Sequence, residues 1–131
     1  METIPDAYRD LLDGQVATLA TVGPNGRPQQ SIIWFLAEGG TVRLSLNTSR
    51  QKTANLVNNP LCSLIIVDPD SSYRYLELRG HVEIEPDRDL AFAAKLGAKY
   101  GSDPTQYDQP GDTRSIVTLV AERVRAVDMR S

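Results

Sequence analysis

The residues best suited to bind a ligand lie in segment 44–60, which reads LSLNTSRQKTANLVNNP. An alternating strand ends at residues 47–49, and a short helix follows with Arg50 and Lys52 in its first turn. Cations are unfavourable there, because the free N–H groups at a helix start prefer negative charge. A bound phosphate would remove the conflict, since amides, hydroxyls and both cations would converge on it. The alternative is a surface helix whose solvated cations cost roughly a few tenths of a kcal/mol each.

The composition limits the classes of function that the chain can serve. Its 131 residues suit a single domain that buries about two-thirds of its unfolded surface. A net charge of −3 and an isoelectric point near 5.1 argue against nucleic acid as a main partner. The sequence has no signal peptide and no apolar run of about 18 residues. We therefore expect a cytoplasmic protein with no membrane partner.

Metal binding and nucleophilic catalysis lack the residues that they need. Cys62 is the single cysteine and lies in the apolar run 61–67, which favours a buried, inert thiol. His81 is the single histidine and falls among carboxylates on the polar face of its strand. Metals such as zinc usually require several His or Cys ligands. The sequence therefore predicts no metal site and no catalytic side chain.

Hydrophobic periodicity predicts six or seven mostly hairpin-linked strands with three helices inserted between them. Gly23-Pro24-Asn25-Gly26 is a strong hairpin turn, and Gly80 indicates a bulge or bend in its strand. The alternation of the last strand slips near Glu122, so that segment is one long or two short strands. Together these features predict an antiparallel barrel that carries helices. The predicted strands are 15–22, 28–37, 41–47, 61–67, 75–85 and 114–129, a polar loop covers 68–72, and the predicted helices end near residues 12, 59 and 100.

Three further groups of side chains are candidates for contact with a planar ring. Gln29, Ser31 and Ile33 share one side of the strand 28–37, and their alternative role is an ordinary exposed strand face. Trp34 and Phe35 are adjacent, so one of them should face outward and be covered by a ligand or a second subunit. Tyr73 and Tyr75 could stack on a ring or simply pack.

Three segments resemble a known family: GRPQQSIIW at 26–34, the segment 44–60, and YLELRGHVEIE at 75–85. They are similar to the pyridoxamine 5′-phosphate oxidase-like split β-barrel flavoproteins, and most of all to small actinobacterial-type enzymes that use a deazaflavin coenzyme instead of FMN. The resemblance covers nearly the whole chain. It implies a mainly β fold with helices, a six- to seven-stranded antiparallel split β-barrel of the FMN-binding type, formed by one domain over residues 1–131.

The resemblance also implies a set of cofactor-binding residues. In the family the R-x-K pair binds the cofactor phosphate, and the strand after G-R-P lies along the ring. Arg79 stands where relatives often carry an acidic residue, so no role is transferred to it. The residues implied for phosphate binding and its surroundings are Ser45, Arg50, Gln51, Lys52 and Thr53, and those implied for the ring are Gln29, Ser31, Ile33, Trp34 and Tyr75.

The activity that the resemblance implies is hydride transfer between the deazaflavin coenzyme F420 and a small conjugated acceptor such as an enone or imine. The cofactor would be bound at a homodimer interface. FMN is the alternative cofactor, and a non-catalytic flavin- or deazaflavin-binding protein is the alternative function. A haem-handling protein of this fold is the least favoured. The chain stops at Ser131 without the pyridoxal-phosphate-binding part of true pyridoxamine phosphate oxidases, so we do not expect their reaction.

Overall fold

A computed structural model describes residues 2–130. Within that range, the strands are β1 (Ala17–Val22), β2 (Pro28–Ile33), β3 (Leu36–Glu38), β4 (Thr41–Asn47), β5 (Leu61–Asp68), β6 (Ser71–Pro86) and β7 (Arg114–Asp128). They form one antiparallel sheet in the order β2-β1-β5-β6-β7-β4-β3, which confirms the predicted fold. The sheet curls into a half-barrel around a core of aliphatic side chains and Phe35. The helices are α1 (Gln51–Asn58) and α2 (Ala91–Tyr100), with 3-10 turns at Asp6–Asp13 and Pro24–Gly26.

The prediction of one continuous strand over residues 28–37 is wrong, because two strands lie there. β2 pairs with β1 at one edge of the sheet, whereas β3 pairs with β4 at the other edge. Only Trp34 and Phe35 separate the two strands. Because three Cα–Cα steps span at most about 11 Å, the two edges must approach each other. This short crossover therefore curls the sheet.

The crossover is held by the end of α2. The Phe35 N–H donates to the Tyr100 hydroxyl at 3.0 Å, and this hydroxyl donates to the Gln15 carbonyl at 2.8 Å. Lys99 Nζ donates to the carbonyls of Gly14 and Phe35 at 2.7 and 2.8 Å. The Tyr100 and Lys99 side chains hydrogen-bond to backbone groups that would otherwise pair with a neighbouring strand. The strand consequently breaks here, a feature that its apolar sequence does not reveal.

Two other predicted boundaries are also wrong. α2 begins at Ala91 rather than near Pro86, because the Asp87 carboxylate accepts hydrogen bonds from the Phe92 and Ala93 N–H groups at 3.2 and 2.9 Å. The polar loop predicted over 68–72 is instead a tight turn into β6, in which Asp68 accepts a hydrogen bond from the Asp70 N–H at 2.8 Å. Local carboxylate–amide bonds decide both boundaries.

A β-bulge lies in β7 opposite Gly80, which confirms the slip predicted near Glu122 but places the bulge on the partner strand rather than on the strand of Gly80. Arg79 pairs with Arg123 and Gly80 with Ala121, so Glu122 has no partner across the β6–β7 ladder. A Cβ on Gly80 would overlap the Val120 carbonyl oxygen. Glycine is therefore required by the close approach of the two strands.

Cys62 is buried, and burial raises the pKa of its thiol to about 11, in agreement with the predicted inert cysteine. Among residues 2–130, no helix has the length and apolar character needed to cross a membrane.

Replacing Gly80 with Ala should destabilise the fold by about 3 kcal/mol, because the new methyl group forces β6 away from β7. Urea unfolding followed by the fluorescence of Trp34, the single tryptophan, measures the change. Arg79→Ala on the same strand is the control and should stay within about 0.5 kcal/mol of wild type. Equal stability of the two variants would contradict the proposed steric role of Gly80.

Candidate functional site

A cavity of about 670 Å³ lies where the end of β2, the end of β4, the start of α1 and the connection 101–113 meet. Its volume falls within the range of about 300–1,000 Å³ that is typical of small-molecule sites. The side chains that line it are Ile32, Ile33 and Trp34 from β2 and its end; Ser45, Leu46 and Asn47 from β4; Arg50 and Lys52; Leu96; Ser102, Asp103, Pro104, Gln106 and Tyr107 from the connection; and Arg114.

The cationic end of the cavity carries two positive side chains that are not held in ion pairs within residues 2–130. Neither Arg50 nor Lys52 forms an ion pair within this part of the chain. Burial lowers the pKa of the half-buried Lys52 ammonium, and the positive fields of Arg50 and Arg114 lower it further. Two neighbouring positive side chains repel each other, and a bound anion removes this repulsion. The first turn of α1 is therefore suited to a phosphate.

Two carboxylates of the connection 101–113 that feel the charge of Arg50 are hydrogen-bonded to other partners. Asp108 binds Arg114 through two hydrogen bonds of 2.9 and 2.7 Å, and Asp112 accepts one from Asn47 at 3.0 Å. The Arg114 guanidinium is the main cause that lowers the pKa of Asp108, and Arg50 contributes a smaller effect. Asp108 is thus ion-paired with Arg114 and Asp112 is hydrogen-bonded to the Asn47 amide, and neither forms an ion pair with Arg50 or Lys52.

Hydrogen-bond donors accompany this charge. The Ser45 side chain is 8% exposed and lines the cavity, and its Oγ is the one buried side-chain polar atom in residues 2–130 without a hydrogen-bond partner. Helix α1 lacks a side-chain cap at Arg50, so the amides of its first turn are not satisfied by a capping side chain. A phosphate would accept hydrogen bonds from both sources.

The apolar wall of the cavity is formed by Ile33 and Trp34. The Trp34 indole stacks on the Tyr100 ring with a centroid distance of 4.2 Å and an angle of 6° between planes. The Tyr100 hydroxyl is fixed in turn by the crossover backbone. The wall is consequently rigid, while Tyr107 on the connection 101–113 leaves 82% of its surface exposed at the rim.

The structure brings five of the ten predicted site residues into the cavity. They are Ile33, Trp34, Ser45, Arg50 and Lys52. Gln29 and Gln51 lie outside its lining and hydrogen-bond to Asn55 at 3.1 and 2.8 Å. The Thr53 hydroxyl donates to the Asn47 carbonyl at 2.7 Å, so it supports the start of α1.

Two predicted residues lie on β-strands outside the cavity lining. Ser31 is half-buried on β2, on the same side as Gln29 and Ile33. Tyr75 lies near the start of β6 between Val67 and Val127, while the cavity faces the start of β7 at Arg114. The ligand contacts assigned to Gln29, Ser31, Gln51, Thr53 and Tyr75 stay predictions.

Sequence reasoning missed Asn47, Arg114 and the connection 101–113. Asn47 and Arg114 are direct neighbours across β4 and β7, although 67 positions separate them in the printed numbering. Arg114 also donates to the Ser45 and Pro104 carbonyls at 3.3 and 2.6 Å. No local pattern signals these contacts, because they depend on which strands pair.

The chain matches the family model described as pyridoxamine 5′-phosphate oxidase over residues 4–128. It belongs to the pyridoxamine 5′-phosphate oxidase-like family. Members of this family bind flavins or deazaflavins, and oxidoreduction is their general class of activity. No curated protein matches the sequence in a direct comparison.

Solved structures show the same fold. A structure described as an F420 reductase is 38% identical, with a TM-score of 0.82, and the match covers 93% of this chain and 98% of that one. A conserved hypothetical protein from Mycobacterium tuberculosis is 27% identical, with a TM-score of 0.78, over 98% of this chain and 87% of that one. A haem-binding protein from Mycobacterium smegmatis is 24% identical, with a TM-score of 0.73, over 96% of this chain and 55% of that one. The last similarity shows the fold alone.

Replacing Lys52 with Met should stabilise the ligand-free protein at neutral pH. Because the Lys52 pKa in the folded state lies below its ordinary value of 10.5, folding disfavours the charged form, and the penalty fades as the pH rises through the folded-state pKa. The advantage of Lys52→Met should therefore shrink as the pH approaches about 10. Urea unfolding across this pH range measures it.

The control is Lys95→Met, which removes an exposed ammonium that pairs with Glu38 at 2.6 Å. This variant should gain no stability at neutral pH, since an exposed ion pair is lost. If Lys52→Met is less stable than wild type at every pH, the Lys52 ammonium is not held against an electrostatic cost.

Proposed function

We propose that this protein is an oxidoreductase that binds coenzyme F420 and transfers a hydride between it and a small conjugated acceptor. The observation that carries the proposal is that the buried, unpartnered Ser45 Oγ lines the same cavity as Arg50 and Lys52, and Lys52 is held there at an electrostatic cost. The 38% identity to a structure described as an F420 reductase supports F420 over FMN.

The residues of the cavity fit a phosphorylated redox ring. Arg50, Lys52 and Ser45 would hold the phosphate, and Ile33 and Trp34 would support the ring. When bound in its reduced form, the coenzyme supplies a hydride to the acceptor, which also takes up one proton. The chain's own contribution is to bind and orient the coenzyme and to exclude water.

A second copy of this chain is the proposed partner. The outer face of the sheet carries apolar side chains in neighbouring rows. Ile32 and Ile65 flank Thr18 in one row, and Val67 and Val127 flank Tyr75 in the next. Ile32 is 65% exposed and Val67 is 45% exposed. Burying this face against a two-fold related copy would remove apolar surface from water.

This dimer would also affect the cofactor site. Ile32 belongs both to the outer apolar face and to the lining of the cavity. A copy seated on that face would reach the rim of the cavity and help to enclose a tricyclic ring, which one small barrel covers poorly. The assignment of Tyr75 to the ring pocket depends on this arrangement.

Titrating the purified protein with F420 and with FMN tests the cofactor assignment. We expect tighter binding of F420, and Lys52→Met should raise its Kd by at least about tenfold, because a charge-assisted contact contributes roughly 1.5–3 kcal/mol. Fluorescence or calorimetric titration measures both constants. Lys95→Met, which changes a lysine outside the cavity, should leave them unchanged.

Turnover separates an enzyme from a cofactor-binding protein. Oxidation of the reduced coenzyme is followed with a panel of enones and quinones as acceptors. Failure of wild type to bind F420 would refute the cofactor assignment, and tight binding with no turnover across the panel would support the non-catalytic alternative.

Replacing Val67 with Asp should convert the proposed dimer to monomer, because the carboxylate would be buried in an apolar interface without a partner. Sedimentation velocity at low micromolar concentration should give wild type twice the chain mass of 14.4 kDa and the variant that mass once. The control is Glu83→Gln on the exposed face of β6, which should remain dimeric. A monomeric wild type would exclude the interface.

A further inference from the structure

Asn55 is a buried polar residue of α1 whose side chain has no contact with the cavity. It is 2% exposed and lies one turn after Gln51. Its Nδ2 donates to Thr21 Oγ1 at 3.0 Å and to Gln29 Oε1 at 3.1 Å, and its Oδ1 accepts a hydrogen bond from Gln51 Nε2 at 2.8 Å. A single buried amide therefore joins α1, β1 and β2.

This amide connects the two halves of the proposed cofactor site. Lys52 lies in the first turn of α1 and Arg50 immediately precedes the helix, whereas β2 ends at Ile33 and is followed by Trp34. Among the side-chain hydrogen bonds of residues 2–130, those that join α1 to β1 and β2 all involve Asn55. Gly23, in the β1–β2 turn, also packs against it, since a Cβ there would lie 3.5 Å from Asn55 Oδ1.

Because the Asn55 amide is buried, its hydrogen bonds constrain the position of α1. An amide removed from water must keep its hydrogen bonds, because each unsatisfied group carries a desolvation cost. Rotation of α1 about its axis, or sliding along β1, would break the bonds to Thr21 and Gln29. The network thus fixes one placement of the helix relative to the β1–β2 hairpin.

We propose that Asn55 is a positioning residue that sets the distance between the proposed phosphate site at the start of α1 and the proposed ring site at the end of β2. The proposal rests on the proposed function, because it concerns a ligand that contacts both parts at once. A rigid link lets the second contact form without further ordering once the first has formed. Asn55 would then matter for a ligand with both a phosphate and a ring, but not for a phosphate by itself.

The test compares Asn55→Ala with wild type for two ligands of different reach. Inorganic phosphate, titrated by NMR, measures binding at the phosphate site alone. Coenzyme F420, titrated by fluorescence, measures binding at the phosphate site and the ring site together. We expect the Kd for F420 to rise by at least about tenfold, while the Kd for phosphate changes by less than about twofold. A merely structural role would weaken both in proportion.

Two variants make the comparison decisive. Asn58→Ala is the matched control, because Asn58 lies on the same helix but bonds only to the Ala54 carbonyl at 3.0 Å; it should change neither constant. If Asn55→Ala does not fold, Thr21→Val removes one of the same bonds with little change in volume and should raise the Kd for F420 a few-fold with phosphate binding intact.

The outcomes separate this inference from the proposed function. Wild-type binding of F420 with an unchanged constant in the folded Asn55 or Thr21 variant overturns the positioning role alone. Equal weakening of phosphate binding and F420 binding also overturns it, since the phosphate site itself would then be disrupted. A wild type that binds phosphate but not F420 overturns the proposed function, and the positioning role with it.

Discussion

The two-residue crossover between β2 and β3 is the constraint on which the rest of the structure depends. It joins opposite edges of the sheet, so the seven strands must curl until those edges meet. Tyr100 and Lys99 hold the crossover by occupying the backbone groups of Phe35. Tyr100 also stacks on Trp34, so the residue that holds the crossover also positions a side chain that lines the cavity.

At the other end of the cavity, the Lys52 ammonium is held at an electrostatic cost. Lys52 is half-buried near Arg50 and Arg114, and each of these features lowers its pKa. The nearby carboxylates form no ion pair with these cations, because Asp108 is bonded to Arg114 and Asp112 to Asn47. Binding sites commonly keep such strain, since the ligand removes it on arrival.

The cavity is assembled from elements that belong to different parts of the barrel. The amide network around Asn55 ties α1 to β1 and β2, and Arg114 ties the connection 101–113 to β4. Family membership supplies the general chemistry, a flavin or deazaflavin oxidoreductase. The rim of the cavity is its most open part, because Ile32 and Tyr107 leave most of their surface exposed there.

The sequence by itself determined the antiparallel class, the irregularity where Gly80 faces β7 and the two cations at the start of α1. These features rest on local signals: alternation, a glycine within a strand, and cations at a helix start. Only the tertiary structure decided the break at residues 34–35 and the contacts of Arg114, because both depend on groups that come from distant parts of the chain. Strand pairing, which no local pattern encodes, brings those groups together.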